Sequence, residues 1–472
     1  MAPTKILLLA ALAIATGLAF ITHQSLWMDE GSTVFKALLP SLSDWWHMTM
    51  RLGGSDVQMP VYMFLAWGWE KLGASTEYAL RCVNLPWIIV ATLALGRVRF
   101  WPLVLLTSPF MLYYTGEMRP YAMQVAAGAV AALALFKVHA GKDGGGFDGI
   151  HTTAAAALFL ASSSLTAAVW AVGLWIGVLV LRPDWLKRAG FWMRLAPWAA
   201  AATLLAGYYL CTLLQGYRAA SADGGGIMSM LFGFYELLGL AGLGPGRNEL
   251  RANPASALSS LAILLPATLI LAAAWFHGTW RWQQSVSNRT FSAVALAVLV
   301  PLVFLATVGV MMDFRVLGRH LSPVLPAVLL PIAMTLDTTG KRQTLWRTVG
   351  AAAVALSITS AIGLRFMERH ARDDYRRATD IVVKALRDGK RVWWQADMNA
   401  TRFYAYREGG MPMVNAIQVL ESDVPTSLLS TDLVVINRPD LKYRGSDYQS
   451  ELKRNFFKQE AVFTGFEIWK SE

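Results

Sequence analysis

Residues 6–30 read ILLLAALAIATGLAFITHQSLWMDE, and this stretch decides the class of fold. The apolar run Ile6–Ile21 is about long enough, with its flanks, to cross a lipid bilayer. Asp29 and Glu30 follow it, and an acidic pair is costly to hold near lipid, which makes the pair a candidate functional site. The alternative is that Asp29 caps the start of a short helix. The stretch predicts a membrane protein with an acidic site at the membrane–water boundary.

The composition of the whole chain indicates the same class. Of its 472 residues, 55% are hydrophobic and only 15% are charged, which is typical of a polytopic membrane protein. The net charge of +11 does not indicate nucleic-acid binding, because from Arg365 onward 18 Lys and Arg face 16 Asp and Glu. The excess lies in and between the apolar runs, where cations set topology. Cys82 and Cys211 are the only cysteines, so neither a disulfide framework nor a cysteine metal site is expected.

Apolar runs predict about eleven membrane spans. The spans begin near Ile6, Tyr78, Trp101, Tyr121, Thr153, Leu165, Leu195, Ala255, Thr290, His320 and Trp346. Thr153–Leu181 is either one long span or a tight pair. With the N-terminus in the cytoplasm every inner connection is basic, from Arg97 and Arg99 to Arg342 and Arg347, as the positive-inside rule requires. The first run lacks a clear cleavage site and is expected to remain as a signal anchor.

This orientation places three long segments outside: residues 22–77, residues 215–254 and everything after the last span. In the first of them, Met59–Trp69 predicts a helix that lies in the membrane interface. The second is glycine-rich and is either a mobile loop over a site or a plain connection. We therefore expect a membrane domain over residues 1–364 and a small soluble α/β domain over residues 365–472.

The C-terminal segment has the pattern of alternating strands and helices. Val392–Trp394 and Leu433–Ile436 are typical of short buried strands, and Phe463–Trp469 of a last strand. Helices are predicted over Tyr375–Arg387, Ala400–Arg407 and Tyr448–Phe457. The segment has no phosphate-cradling glycine loop, nucleophile elbow or Cys/His cluster. It is therefore expected to support the site or to recognise an acceptor.

Four stretches with polar residues stand at the outer ends of the predicted spans. They are Leu26-Trp27-Met28-Asp29-Glu30, then Met59-Pro60-Val61-Tyr62 with Glu77-Tyr78-Ala79-Leu80-Arg81, then Ser108–Ala122 with Glu117-Met118-Arg119-Pro120-Tyr121, and Arg319-His320-Leu321-Ser322-Pro323. In this order they resemble the motifs of the GT-C superfamily of polytopic glycosyltransferases, in particular bacterial relatives of the protein mannosyltransferase and lipid A aminoarabinose transferase families. Two positions depart from the family pattern: Met59 replaces the first proline of a pair, and His320 replaces a tyrosine.

The resemblance implies transfer of a sugar from a polyprenyl-phosphate carrier to a periplasmic glycan, lipid or protein. It implies a multi-pass protein of the bacterial inner membrane with its C-terminal domain in the periplasm. The chemistry needs a carboxylate that takes the proton of the acceptor hydroxyl and cations that stabilise the leaving phosphate. By its match to the family's first-loop acid, Asp29 is the expected base, with Glu30 in reserve. Asp56 is a second acid of the same loop and is expected to be solvated.

The resemblance also supplies candidate substrate-binding residues. They are Tyr62, Tyr114, Glu117, Arg119, Arg315, Arg319 and His320. Arg319 is the leading phosphate ligand because a guanidinium fork fits phosphate, and the alternative is that it snorkels to lipid headgroups. Glu117 and Arg119 either both point into the site or form a structural ion pair. His320 either donates to the phosphate or is a satisfied interhelical histidine, and the tyrosines line the pocket or are interface aromatics.

Two other functions stay open at this point. A transporter or flippase of lipid-linked sugars would have paired broken helices and charges near the bilayer midplane, whereas the distinctive charges here cluster at the outer end. A non-catalytic GT-C-like assembly subunit is the second, because of the two departures from the family pattern. No metal or cofactor is predicted, since the acids would hold a divalent cation only if they converged in space. Arg247 and Arg251 of the glycine-rich loop are expected to be solvated, with phosphate contact as the alternative.

Overall fold

The computed structural model describes residues 1–140, 149–216, 227–246, 249–250, 253, 255–340, 342–417, 431–438 and 448–472. Within these residues the chain is predominantly helical, and a four-stranded sheet lies towards its C-terminus. Arg247, Arg251 and Gly224–Gly226, which the sequence singles out, lie outside the described residues.

Eight helices in the described part of the chain are long and apolar enough to cross a membrane. They are Pro3–Phe20, Glu77–Leu95, Tyr121–Ala140, Ala189–Leu214, Leu261–Ser285, Asn288–Met311, Gly318–Leu336 and Gln343–Phe366. Two shorter apolar helices, Ile150–Ser163 and Leu165–Leu181, and the pair Trp101–Leu106 and Pro109–Thr115 account for the other predicted spans. Ten of the predicted span starts lie inside these helices, and the one at Ala255 precedes the helix Leu261–Ser285 by six residues. The prediction of a polytopic α-helical membrane protein is confirmed.

The stretch Thr153–Leu181 is a tight pair of helices and not one span. Ser164 has an extended backbone between them, and its side chain caps the second helix by accepting a hydrogen bond from the N–H of Ala167. The same hydroxyl accepts a hydrogen bond from the Gln124 side chain at 2.9 Å. The break is thereby tied to the neighbouring span.

The first long loop, residues 22–77, folds into helices that cover the ends of the spans. They are Met28–Ala37, which we call the acidic helix, then Leu42–Leu52 and Pro60–Lys71, with a 3-10 turn over Gly54–Gln58. The helix predicted over Met59–Trp69 is present as Pro60–Lys71. Asp29 lies inside the first turn of the acidic helix, whose N-cap is Trp27, so Asp29 is not the cap.

The C-terminal domain is built on four strands, β1 (Val392–Gln395), β2 (Leu433–Asn437), β3 (Phe457–Phe463) and β4 (Phe466–Ser471). Their order in the sheet is β1-β2-β4-β3. β1 pairs with β2 in parallel, and the other two pairings are antiparallel. The first two strands and the helix Tyr375–Arg387 occur where the sequence predicts them.

Two details of the domain differ from the prediction. Phe463–Trp469 is not one strand, because Gly465 takes a φ of +79° and turns the chain between β3 and β4. The predicted helix at residue 448 ends at Arg454, and β3 follows it. The helix predicted over Ala400–Arg407 is present in the first part of Met398–Ala416, which we call the domain helix and whose backbone leaves helical geometry at Gly409 and Gly410.

The domain shares a hydrophobic core with the first loop. Leu26, Val34 and Phe35 of the loop lie in the same buried cluster as Tyr375 and Phe403 of the domain. The acidic helix and the domain helix are therefore in direct contact. Because burial of apolar side chains is the main stabilising term in folding, this shared core fixes the domain on the end of the membrane helices that carries the first loop.

Candidate active site

Nine charged side chains form a connected set at the end of the helical bundle that carries the first loop, and we call this set the outer cluster. Its cations are Lys36, Arg81, Arg119, Arg319 and Arg372, and its acids are Asp29, Glu30, Asp56 and Glu117. They come from the acidic helix, from the ends of the spans and from the linker into the domain. The fold brings together residues that are more than 300 positions apart in the chain.

Asp29 and Arg319 form the most accessible ion pair of the outer cluster. Their oxygen and nitrogen atoms are 2.6 Å apart, and the two side chains are 26% and 17% exposed. The guanidinium also lies over the Tyr121 ring, 5.8 Å from its centroid, so Arg319 turns towards the acid and does not snorkel to headgroups. Burial opposes ionisation of Asp29, but Arg319 and Arg119 outweigh it and hold its pKa below the ordinary value. Asp29 is thus an ionised carboxylate at neutral pH.

Glu30, its sequence neighbour, is a buried anchor. Its carboxylate is fully buried and accepts hydrogen bonds from Arg81 Nε at 2.9 Å and Nη2 at 2.8 Å. The N–H of Met118 donates to it at 2.9 Å, and Arg372 forms a further ion pair. Burial opposes its ionisation, but Arg372 and Arg81 lower its pKa to about 2. A carboxylate with its oxygens engaged in this way is poorly placed to accept a proton from a substrate.

Glu117 is buried like Glu30, but its carboxylate lacks the hydrogen bonds that the Glu30 carboxylate accepts. Both of its carboxylate oxygens are buried and lack a hydrogen-bond partner among the described residues. Its closest cation is Arg372, whose Nη2 lies 4.0 Å away. Burial raises its pKa to about 7, and the charge of Glu30 adds to this rise while Arg372 opposes it. Glu117 therefore changes charge near neutral pH.

The expectation that Asp56 is solvated is wrong. Asp56 is buried, forms ion pairs with Lys36 and with Arg119 Nη1 at 2.6 Å, and accepts a hydrogen bond from Ser32 Oγ at 2.6 Å. Burial alone would raise its pKa, but Lys36 and Arg119 outweigh burial and lower the pKa. The physical reason is a tertiary contact that the sequence does not reveal. The turn Gly54–Gln58 folds between the acidic helix and Arg119, which removes the Asp56 side chain from water.

Glu117 and Arg119 do not pair with each other. Both are buried in the irregular turn between two spans. Besides its pair with Asp56, Arg119 donates to Thr33 Oγ1 at 3.0 Å and to the carbonyl of Asp29 at 3.2 Å. Arg119 thus holds the acidic helix in place, whereas Glu117 lies beside Arg372. The structural role weighed for this pair fits Arg119, although its partner is Asp56.

The other predicted site residues are less central. Tyr62 is fully buried and donates to the side chain of Asn84 at 3.1 Å. His320 Nδ1 accepts the N–H of Leu317 at 3.0 Å, which closes the turn before its helix. Arg315 is half-buried in the connection that precedes that turn. Tyr114, a further predicted site residue, lines the cavity described in the next paragraph.

A cavity of about 230 Å³ lies between the ends of the spans and the C-terminal domain. Its walls include Trp27 and Met28 from the start of the acidic helix, Tyr114 from a span, and Arg372 and Arg438 from the domain side. It combines aromatic faces with guanidinium groups beside the outer cluster. Pockets that join aromatic walls to a few polar groups are typical ligand sites.

Comparison with known proteins gives the fold. No protein-family model matches the chain, and no curated protein matches its sequence. Among solved structures, the chain is similar to ArnT from Cupriavidus metallidurans bound to undecaprenyl phosphate, with a TM-score of 0.55 and 12% identity over 99% of this chain and 98% of that chain. It is similar to the same protein in the apo state, with a TM-score of 0.54 and 12% identity over 98% and 97% of the two chains.

The chain has the fold of ArnT. The similarity extends over the membrane helices and the C-terminal domain alike, because nearly all of both chains is covered. The fold that the four sequence motifs predict is thereby confirmed, including its small α/β domain.

Sequence reasoning missed three residues of the outer cluster. Arg81 is the last residue of the motif Glu77–Arg81 and pairs with Glu30. Its role could have been predicted, because a cation at a span end near an acidic motif is a candidate ion-pair partner. Lys36 was visible as a lone cation within an apolar stretch of the first loop. Arg372 gave no signal, since it is one of several arginines after the last span.

In the described part of the chain, no group of three or more His, Cys, Asp and Glu side chains is placed to hold a metal ion.

Proposed function

We propose that the protein is an integral-membrane glycosyltransferase that moves a sugar from a polyprenyl-phosphate carrier to a hydroxyl group of a periplasmic acceptor. The observation that carries the proposal is the Asp29–Arg319 pair, an ionised acid and a guanidinium that are 2.6 Å apart and partly exposed. The GT-C fold supports it, because a protein of this fold, ArnT from Cupriavidus metallidurans, has been solved bound to undecaprenyl phosphate.

In the proposed reaction Asp29 takes the proton of the acceptor hydroxyl as its oxygen attacks the anomeric carbon. The bond between that carbon and the phosphate oxygen breaks, and the carrier leaves as a polyprenyl phosphate. Arg319 stabilises the negative charge on the leaving phosphate. Without donor, Arg319 neutralises Asp29. A donor phosphate competes for this guanidinium, and an Asp29 that has lost its partner is a stronger base.

The charge balance of the outer cluster supports an anionic ligand. Its five cations face four acids, which leaves one positive charge in excess when every member is ionised. When Glu117 is protonated the excess is two. A buried excess charge is costly unless a counterion approaches it. A phosphate group at the accessible edge of the cluster, where Arg319 lies, supplies that counterion.

The proposed setting is the bacterial inner membrane, with the N-terminus in the cytoplasm and the outer cluster and C-terminal domain in the periplasm. Basic inner connections support this orientation. The acceptor is a glycan, a lipid or a protein that presents a hydroxyl group. The transferred group is a hexosyl or pentosyl unit.

The test is a transfer assay with purified protein, radiolabelled polyprenyl-phosphate sugars and cell-envelope acceptor. Wild type is compared with Asp29→Asn and with Asp44→Asn, a matched control in the same loop whose side chain is exposed. We expect wild type and Asp44→Asn to transfer sugar and Asp29→Asn to lose about 10²–10⁴-fold in kcat while it still binds donor.

Equal transfer by Asp29→Asn and wild type would remove Asp29 as the base. A wild-type protein that transfers no sugar from any donor would contradict the enzyme proposal. In that case movement of labelled lipid-linked sugar across proteoliposome membranes becomes the next measurement, because a flippase is the alternative that the same ligand chemistry allows.

A further inference from the structure

The acidic helix and the domain helix touch backbone to backbone. A Cβ atom added at Gly31 would lie 2.1 Å from Cα and 2.6 Å from the backbone N of Ala400. Separations under 3.0 Å are essentially never seen for real Cβ atoms, and the atoms met here are backbone atoms that cannot rotate away. Gly31 follows Asp29 by two residues, so the contact fixes the first turn of the acidic helix against the domain.

A hydroxyl of the domain helix holds the chain on the other side of Asp29. Tyr404 is buried, and its hydroxyl accepts the N–H of Leu26 at 2.8 Å and donates to Glu77 at 3.1 Å. Tyr404 and Ala400 are four residues apart, so they lie on one face of the domain helix. That single face contacts the segment at Leu26 and at Gly31, with Asp29 between the two contacts.

The linker into the domain adds a third contact to the same segment. Arg372 forms an ion pair with Glu30 and donates to the carbonyl of Gly116 at 3.1 Å. The neighbouring backbone also takes part, since the N–H of Arg376 donates to Ser25 Oγ at 3.1 Å. Contacts from the C-terminal domain therefore bracket the candidate base on both sides in sequence.

We infer that the C-terminal α/β domain positions the base, and that Ala400 and Tyr404 are positioning residues for Asp29. The inference rests on the proposed function and decides between the two roles considered for the domain. A domain that only recognised an acceptor would affect acceptor binding and leave the acidic helix unchanged. A positioning domain affects the rate of the chemical step, because displacement of a reacting group by about 1 Å costs about a hundredfold in rate.

The first test separates the two helices by one methyl group. Gly31→Ala forces the acidic helix away from the domain helix, and Gly68→Ala is the matched control, because a Cβ at Gly68 meets no atom within 4 Å. We expect Gly31→Ala to lower kcat about a hundredfold with KM for donor and acceptor unchanged, and Gly68→Ala to behave as wild type. Adding Ala400→Gly should not restore the rate, because the clash is with backbone atoms.

The second test removes one hydroxyl and keeps the ring. Tyr404→Phe leaves the N–H of Leu26 and the carboxylate of Glu77 without this partner. Tyr406→Phe is the control on the same helix, because it keeps the ring contact with Phe35, and the Tyr406 hydroxyl makes no hydrogen bond to the residues that the structure describes. We expect Tyr404→Phe to lower kcat about tenfold, because the hydrogen bonds of its hydroxyl to Leu26 and Glu77 are both lost. Hydrogen–deuterium exchange should rise in the acidic helix for Tyr404→Phe and Gly31→Ala alone.

The exchange readout separates failure of the inference from failure of the proposed function. Variants with wild-type kcat and wild-type exchange in the acidic helix would overturn the positioning role. A change in KM for the acceptor alone, at unchanged kcat, would also overturn it in favour of acceptor recognition. If wild type itself transfers no sugar, the proposed function fails, and exchange still decides whether the domain holds the acidic helix.

Discussion

At the scale of single residues, Asp29 and Glu30 show how two adjacent acids acquire different roles. Glu30 is completely buried with two arginines, whereas Asp29 keeps about a quarter of its surface exposed beside one. From the sequence alone, only the family resemblance favoured Asp29 over Glu30 as the catalytic base. Because consecutive residues of a helix do not share a face, their environments are set by what packs on each side, and this requires the folded structure.

The buried role of Glu30 predicts a stability effect. Glu30→Gln keeps the shape of the side chain but leaves Arg81 and Arg372 without their shared anion. Removal of one partner from a buried ion pair destabilises proteins by about 3–5 kcal/mol. We expect a clear fall in the thermal unfolding temperature in detergent. Glu70→Gln, at a partly exposed pair with Lys71, should leave it nearly unchanged; equal unfolding temperatures for the two variants would contradict the anchor role.

Glu117 predicts a pH dependence of stability. Its pKa is raised from 4.5 to about 7 in the folded protein, so the folded state binds more protons than the unfolded state between these values. Stability from this group is complete below pH 4.5 and is lost as the pH rises through about 7. We expect the unfolding temperature of Glu117→Gln, relative to that of wild type, to increase as the pH rises from 4.5 to about 7.

The comparison is made as a difference because His370 acts with the opposite sign. Burial lowers the pKa of His370 to about 4, with Arg369 adding to the effect, so its contribution rises with pH up to its ordinary value. Wild type and Glu117→Gln share this histidine, and its effect cancels. A difference that stays constant from pH 4.5 to above pH 7 would show that Glu117 does not titrate there.

At the scale of elements, the first loop is held together by the Asp56 ion pairs. Asp56 joins the 3-10 turn to Lys36 of the acidic helix and to Arg119 between two spans. Asp56→Asn leaves two buried cations without their anion, and we expect about 3–5 kcal/mol of destabilisation. Asp44→Asn is the same change at an exposed position of the same loop. Limited proteolysis of the first loop measures the effect, and equal cleavage rates for the two variants would count against this role.

The elements themselves were largely predictable, and the contacts between them were not. Apolar runs longer than about 18 residues carry their own signal, and the helix Tyr375–Arg387 was predicted at its observed bounds. The burial of Asp56 and the role of Arg372 depend on pairings with residues far away in the chain. Periodicity along one sequence reports the faces of an element but not its partner, which is why these residues were assigned to solvent or overlooked.

At the scale of the whole molecule, the fold gathers an excess of positive charge at one end of an apolar bundle. The cations come from the first loop, from three span ends and from the domain linker. Four of these five are more than nine-tenths buried, and Arg319 is the most exposed of them. A ligand that reaches the cluster from outside therefore meets Arg319 first, while the remaining cations fix the acids around it.

This arrangement predicts binding of a polyprenyl phosphate in the absence of any sugar. A ligand that binds only the folded state raises its stability, by about 2.7 kcal/mol at a concentration 100 times its Kd. We expect polyprenyl phosphate to raise the unfolding temperature of wild type, and the rise to shrink at high salt because the contact is partly exposed. Arg319→Gln should lose most of the rise. Arg99→Gln, at the opposite end of the bundle with its side chain 70% exposed, should keep it. A polyprenol of the same length without phosphate distinguishes the contribution of the apolar chain from that of the phosphate group. If this polyprenol stabilises the protein equally, the apolar chain supplies the affinity, and the assignment of Arg319 to the phosphate is wrong.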